Sequence, residues 1–361
     1  MSLAALLDGL PIPIIQAPMA GATTGAIALA VSQAGGLGSL AAAGLTPEEI
    51  EAGVAALKRE TSRPFAVNLL VAPSDTPDAG VVAAALARLA PWYAQAGAPL
   101  PAAPNRFAHD FQAQLAALTR APPPVASFAF DLIDRAQVEA LHAAGSYVVG
   151  TANTVAEARA WAEVGADGIC AQGFEAGGHR GNFLAETEAS LVGTLALVAT
   201  VRDAVDLPLI AAGGIMDGRG VAAALALGAN AVQMGTAFLL SDQAATSAAW
   251  REAIAAAPDD PTRLTRAFTG RHARGLENRF MREMRPLEDA VPAYPVQNRL
   301  TGPLRAAAEA AGDAQMMSVW AGQAVALAGP GDAGDLIRRW WAQAGEAAAG
   351  VSVRVNRGEK V

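Results

Sequence analysis

Short apolar runs alternate with amphipathic segments along most of this chain. The runs lie at 13–18 (PIIQAP), 36–40 (GLGSL), 64–70 (PFAVNLL), 124–130 (PVASFAF), 145–150 (GSYVVG), 166–171 (ADGICA), 207–212 (LPLIAA) and 229–234 (ANAVQM). Continuous apolar character over so few residues is the pattern of strands buried on both faces. The segments between them have helical spacing, and two carry start signals. Thr46-Pro47-Glu48-Glu49 supplies an N-cap, a proline at the first helical position and a capping-box glutamate. Thr154 and Glu157 repeat the box before VAEARAWAEV. Eight β-α units in about 250 residues predict a (β/α)8 TIM barrel, with a doubly wound open sheet as the alternative.

Two stretches break the rhythm. Residues 72–123 are too long for one crossover and carry the proline-rich pieces APLPAAP and APPPV. They predict an enlarged connection after strand three that walls a site at the C-terminal rim. Residues 256–361 follow the eighth unit and read as mainly helical. The expected division is therefore a barrel over 1–255, with its 72–123 insertion, and a helical subdomain over 256–361 packed on the barrel mouth.

Composition narrows the chemistry. A net charge of −8 argues against nucleic acid as a partner. The apolar runs are broken by charges and none reads as a membrane span. The start, MSLAALLDGLPIPIIQAPM, lacks a basic segment and moves into a strand-like run, so no signal peptide is expected. The single cysteine, Cys170, excludes an internal disulfide and points to the cytoplasm. Lysine occurs only at Lys58 and Lys360, both among exposed-looking charges, which argues against Schiff-base chemistry. His109, His142, His179 and His272 are far apart and form no metal-binding pair, so no metal is expected.

The candidate chemistry gathers at strand ends. GLGSLA, residues 36–41, matches a dinucleotide fingerprint but enters a strand instead of leaving one, so it is discarded. AAGGIMDGRG has the required order of strand, glycines and helix, and QMGT ends the next strand. These are strands seven and eight, where barrels hold phosphates on backbone N–H groups. Gly213, Gly214, Gly235 and the Thr236 hydroxyl are the candidate donors. Asn68 is an amide inside a buried run near the same rim, suited to a planar ligand or to a core hydrogen bond. Met19 suits a place under that ligand or a gap in the core. Gln172 opens the loop after strand six, in which two glycines precede His179. A histidine on a glycine-rich rim loop is a poor core residue and reads as functional. Arginines at 263, 266, 271, 274, 279, 282 and 285 form a basic stretch, equally readable as a solvated face or an anion attractor. His109 and His142 lie in charged, helical surroundings and read as surface residues.

Together, PIIQAPMAG, AGGLGSL, FAVNLL, DGICAQGFEAGGHRG, LPLIAAGGIMDGRG, ALALGANAVQMGTAFL and TGRHARGLENRF resemble the nitronate monooxygenase family, formerly 2-nitropropane dioxygenase. The similarity runs in order from about residue 10 to at least 330 and includes AYPVQNRLTGPLR and VWAGQAV. The resemblance implies an FMN-dependent barrel enzyme that converts alkyl nitronates, or nitroalkanes, and O2 to carbonyl compounds and nitrite. It also implies His179 as catalytic base, with FMN contacts from Met19, Asn68, Gln172, Gly177, Gly178, Gly214, Gln233, Met234, Gly235 and Thr236. One departure stands out: SFAFDL has Ala129 and Asp131 where SFHFG is expected, which bears on the substrate and its charge. NAD(P)H-dependent quinone or enoyl-carrier reductases of the same superfamily are the alternative, and an FMN- or anion-binding protein without turnover is another. The oligomeric state is open between monomer and homodimer.

Overall fold

All eight apolar runs become strands in the computed structural model, which describes residues 2–72, 77–259 and 261–357. They are β1 (Ile14–Gln16), β2 (Gly38–Ala41), β3 (Phe65–Leu70), β4 (Val125–Ala129), β5 (Tyr147–Ala152), β6 (Gly168–Gln172), β7 (Leu209–Ala212) and β8 (Ala231–Met234). Every pairing is parallel, in the order β1-β8-β7-β6-β5-β4-β3-β2. The Ile15–Leu37 bridge joins β1 to β2. Leu37 N–H donates to Ile14 at 3.0 Å and Gln16 N–H to Leu37 at 2.9 Å, so the sheet closes as a barrel. At Gly38 an added Cβ would stand 1.9 Å from the Ala28 carbonyl oxygen. Only glycine lets the helix Gly25–Gln33 lie that close to its strand.

The barrel interior is filled by Ile15, Leu37, Ala66, Val125, Val149, Cys170, Ile210 and Ala231. Its lower end is plugged by a short helix, Leu3–Asp8, capped by Ser2. Leu3 and Leu7, one turn apart, turn the same face into the barrel. That helix was not expected from a start that reads as entering a strand; six residues are too few to show helical periodicity.

The structure divides the chain differently from the expected boundary at residue 255. Ala333, Leu336, Ile337, Trp340 and Ala344 belong to the main barrel core. Their helix, Ala333–Arg357, packs against the helices Gly218–Ala226 and Gly25–Gln33 and so takes the place of the eighth barrel helix. Gly218 marks the contact, since a Cβ there would meet Trp340 O at 2.4 Å and Ala344 N at 2.3 Å. Residues 72–123 also divide. Phe111–Arg120 packs on Pro47–Glu60 and Arg135–Ala144 as an ordinary barrel helix. Ala79–Gln95 instead joins the 239–325 region in a second core, where Trp92 meets Phe280 edge-on at 4.7 Å and Phe268 stacks on Phe280 at 4.6 Å. The Tyr93 hydroxyl ties the two parts by donating to Leu300 O at 2.6 Å. The subdomain is thus an excursion between β8 and its helix, completed by part of the β3 connection.

Truncation tests this division. Leu336 and Ile337 are fully buried, and burying each such side chain contributes about 1.5–3 kcal/mol, a large share of a typical 5–15 kcal/mol total. Ending the chain after residue 332 is expected to give insoluble protein. Ending it after residue 345, beyond the last core contact at Ala344, is expected to leave the thermal midpoint within about 3 °C of the full chain. Soluble, cooperatively melting protein ending at 332 would contradict the assignment of the eighth helix.

Candidate active site

The ends of β7 and β8 lie side by side, with Ala212 opposite Gln233. Gly213-Gly214 and Gly235-Thr236 therefore leave the sheet together. Gly213 has φ 115° and Gly214 φ 69°, values that favour glycine. The backbone N–H groups of Gly213, Gly214, Gly235 and Thr236 make no hydrogen bond among the described residues. Amides left open at strand ends and at the start of the short turn Thr236–Phe238 are donors that could hold an anion, in the form of a cradle. The Thr236 hydroxyl accepts from Gly322 N–H at 2.9 Å and keeps its own proton to donate. Beside the cradle a cleft of about 320 Å³ opens between Glu175, Thr194, Gly214 and Gln323. The Glu175 carboxylate is occupied in capping the helix Thr194–Ala204, through Thr194 N–H at 2.9 Å and Oγ1 at 2.8 Å.

The other cofactor candidates fall into distinct places. Met19 borders the cradle, its sulfur 3.5 Å from where a Gly235 Cβ would be. Gln233 is half-buried on β8, while the Met234 side chain packs into the outer core and its carbonyl accepts from Ala17 N–H at 2.9 Å. Asn68 donates to Ser127 O and Oγ, both at 3.1 Å, so its amide nitrogen serves the core. Gln172 is a scaffold for the rim loop: Nε2 donates to His179 O at 3.1 Å, and Oε1 accepts from Gly181 N–H and Asn153 Nδ2, both at 2.9 Å. Gly177 packs on backbone, 2.6 Å separating its Cβ position from Gly322 N. Gly178, with φ 71°, faces open space, so of the two glycines only Gly178 leaves room for a ligand.

His179 is held by the excursion. Gly178–His179 forms a short antiparallel ladder with Ala273–Leu276, which pairs in turn with Thr262–Thr265. The imidazole is half-buried among Phe130 (centroid separation 5.4 Å), Tyr294 (5.8 Å) and Trp320 (5.7 Å). Its Nε2 lies 2.9 Å from Thr269 Oγ1, and that hydroxyl donates to Arg271 O at 3.1 Å. With the hydroxyl proton so used, Nε2 is the donor and Nδ1 carries the lone pair. Burial first, then the Arg271 and Arg305 cations, push the imidazole down to about 3, so it is neutral at physiological pH. Burial lowers both arginines to about 10, which leaves them charged. Phe130 adopts φ 88°, a strained value for a bulky side chain, and its ring lies 4.1 Å from the Arg271 guanidinium carbon.

The arginine stretch thus has two faces. Arg271 and Arg274 turn inward, while Arg279 lies over Trp92 and Arg285 pairs with Glu277. The unexpected Asp131 is exposed and bonds the Leu132 amide at 2.8 Å. His142 pairs with Asp167 at 2.7 Å on the outside of the barrel.

A family model described as nitronate monooxygenase matches residues 4–342. The chain belongs to the nitronate monooxygenase family. A probable nitronate monooxygenase of Staphylococcus aureus (strain Newman) is 40% identical over 317 residues, covering 88% of this chain and 89% of that one. Among solved structures, a nitroalkane oxidase from Streptomyces ansochromogenes superposes with a TM-score of 0.89 at 43% identity, covering 96% of this chain and 99% of that one. FabK from Thermotoga maritima gives a TM-score of 0.75 at 29% identity, covering 99% of each. Nitronate monooxygenases are flavin-dependent oxidoreductases, and membership supports oxidation of nitro compounds. No helix among the described residues is long and apolar enough to cross a membrane.

Sequence reasoning did not single out Phe130, Thr269, Tyr294, Arg305 and Trp320, which the structure places about His179. Tyr294 had one available signal, as one of only three tyrosines and the one set before a proline. The cradle is tested at Gly214. Gly214→Asp is expected to abolish flavin retention, because a carboxylate would enter an anion site. Gly214→Asn has nearly the same shape and tolerates a left-handed backbone, so it is expected to keep substantially more flavin. Full flavin content in purified Gly214→Asp would place the anion elsewhere.

Proposed function

We propose that this enzyme binds FMN on the β7–β8 cradle and oxidises alkyl nitronates with O2 to carbonyl compounds and nitrite. The observation that carries the reading is His179 walled by Phe130, Tyr294 and Trp320, with the Arg271 guanidinium over the Phe130 ring and the Arg305 cation near enough to depress the imidazole. A nitronate is a small planar anion with its charge on two oxygens, which suits guanidinium groups. The residues present fit FMN: open amides at Gly213, Gly214, Gly235 and Thr236 suit its phosphate, and Gly178 turns no side chain and no neighbouring atom into the space beside it. Bound there, FMN supplies the redox chemistry between the nitronate and O2.

The site favours a preformed nitronate over the neutral nitroalkane. An imidazole pushed down to about 3 is a weak base near neutral pH. A bound anion beside it offsets the two arginines and removes part of that depression. On a nitronate, which has no α-proton left to remove, the neutral ring offers the anion no donor at Nδ1, so His179 acts through the position of its ring, which the Thr269 bond fixes.

Two measurements test the reading. Under anaerobic conditions propyl-2-nitronate is expected to bleach the bound flavin much faster than NADH or NADPH at equal concentration. Rapid bleaching by NADH with no response to nitronate would move the enzyme to the reductase alternative. On flavin-loaded protein, His179→Asn is expected to lower kcat/KM for the preformed nitronate only about tenfold, the worth of the Thr269 hydrogen bond that fixes the ring. A loss beyond 10³-fold on that substrate would make His179 essential to a later step and refute the orienting role.

A further inference from the structure

Residues 180–184 run from His179 with little regular structure, yet side chains take up their backbone groups. Arg271 Nε donates to Arg180 O at 2.9 Å, and its Nη2 donates to Asn182 O. Glu157 Oε1 accepts from Phe183 N–H at 2.7 Å and Leu184 N–H at 3.1 Å, and Oε2 accepts from Asn153 N–H at 2.7 Å. The Asn182 carbonyl and the Phe183 N–H belong to one peptide group. A carboxylate therefore holds its positive end and a guanidinium its negative end, so that a single peptide dipole bridges the two charges. Glu157 is completely buried. Its sequence signature was a capping box, but only half of the box forms: Thr154 caps the Glu157 N–H, while the Glu157 carboxylate bonds the Asn153 N–H just before the cap with one oxygen and the loop with the other.

We propose that Glu157 is a positioning residue for anion recognition: through the Asn182–Phe183 peptide, its buried carboxylate keeps the Arg271 guanidinium over the Phe130 ring beside His179. The proposal rests on the anion-binding reading of Arg271. It is supported by Glu157 being the strongest influence opposing the effect of burial on Arg271, ahead of Asp131 and Tyr294. It also gives a buried acid, more than 20 residues earlier in the chain than the site loop, a task that capping does not require.

Charge alone and positioning predict opposite signs. If Glu157 acted only as a background negative charge, Glu157→Gln would make the site more cationic and tighten anion binding. Positioning predicts weaker binding. In flavin-loaded Glu157→Gln, KM for propyl-2-nitronate is expected to rise about tenfold, the worth of one charge-assisted contact. kcat should stay within about threefold, and the inhibition constant of neutral 2-nitropropane should be unchanged. Inorganic nitrite, followed through the flavin absorbance, should bind about tenfold more weakly whether or not nitronate is turned over. That readout separates failure of this inference from failure of the proposed activity. An unchanged or lowered KM and nitrite Kd, or equal weakening of the neutral inhibitor, would overturn the proposal. Should Glu157→Gln not fold, Arg271→Lys decides. It keeps the charge but loses the fork that spans Arg180 O and Asn182 O. Wild-type nitrite affinity in that variant would leave Glu157 nothing to position.

Discussion

Two residue pairs, His179 with Ala273 and Gly178 with Arg274, join the loop after β6 to a strand that comes almost a hundred residues later. The site depends on this short ladder. Without it the glycine-rich loop has no backbone partner at its centre, and Thr269, Arg271 and the imidazole have no reason to meet. Arg180 N–H continues the contact by donating to His272 O at 2.8 Å. The ladder is short because the loop must turn away immediately, toward the carbonyls and amides that Arg271 and Glu157 hold. A β-barrel rim loop is thereby fixed by an element outside the barrel, and the excursion between β8 and the eighth helix becomes part of the active site.

The eight strands were legible because each is buried on both faces and its apolar run has clear ends. The glycines that end β7 and β8, Gly213, Gly214 and Gly235, were legible for a related reason, since glycines at the ends of consecutive strands have few purely structural uses; that they hold a phosphate belongs to the proposed function. The Ala333–Arg357 helix was not recognised as part of the barrel. Its docking face is Ala333, Leu336, Ile337, Trp340 and Ala344 against Gly218, an ordinary amphipathic stripe, and nothing local distinguishes a helix that closes a barrel from one that packs elsewhere. Glu157 was misread because its spacing from Thr154 is that of a capping box. The sequence could not show that an amide pair at Phe183 and Leu184 would compete for the carboxylate. Phe130, Tyr294 and Trp320 were missed because large apolar side chains carry the same signal in a core as around a ligand.

The electrostatics of the site follow from one imbalance. Arg271 and Arg305 are brought into a protected space without a carboxylate paired directly against either beside the imidazole. Arg305 has a buried Nε with no partner among the described residues, and Arg271 spends its donors on carbonyls. Leaving cations so placed costs stability unless something negative completes them. Glu157 and Asp131 moderate Arg271 from outside the aromatic wall. Under the proposed function an anion would meet the remaining deficit, and incomplete charge pairing in the free protein would then carry part of the selectivity.

The histidine shares that logic. Its Nε2 is committed to Thr269, whose proton is committed in turn to Arg271 O, so the tautomer is set by the same residue that supplies the nearby charge. Moving Arg271 would change both the charge beside the ring and the orientation of the hydroxyl that fixes its Nε2. An anion that draws on Arg271 therefore acts on His179 through electrostatics and through a hydrogen-bonded chain at once. Both effects act in one direction, because a negative group restores basicity to Nδ1 while the Thr269 bond keeps Nε2 protonated. A neutral ligand of the same shape obtains neither effect, and under the proposed function this asymmetry would be the physical basis for telling a nitronate from its parent nitroalkane.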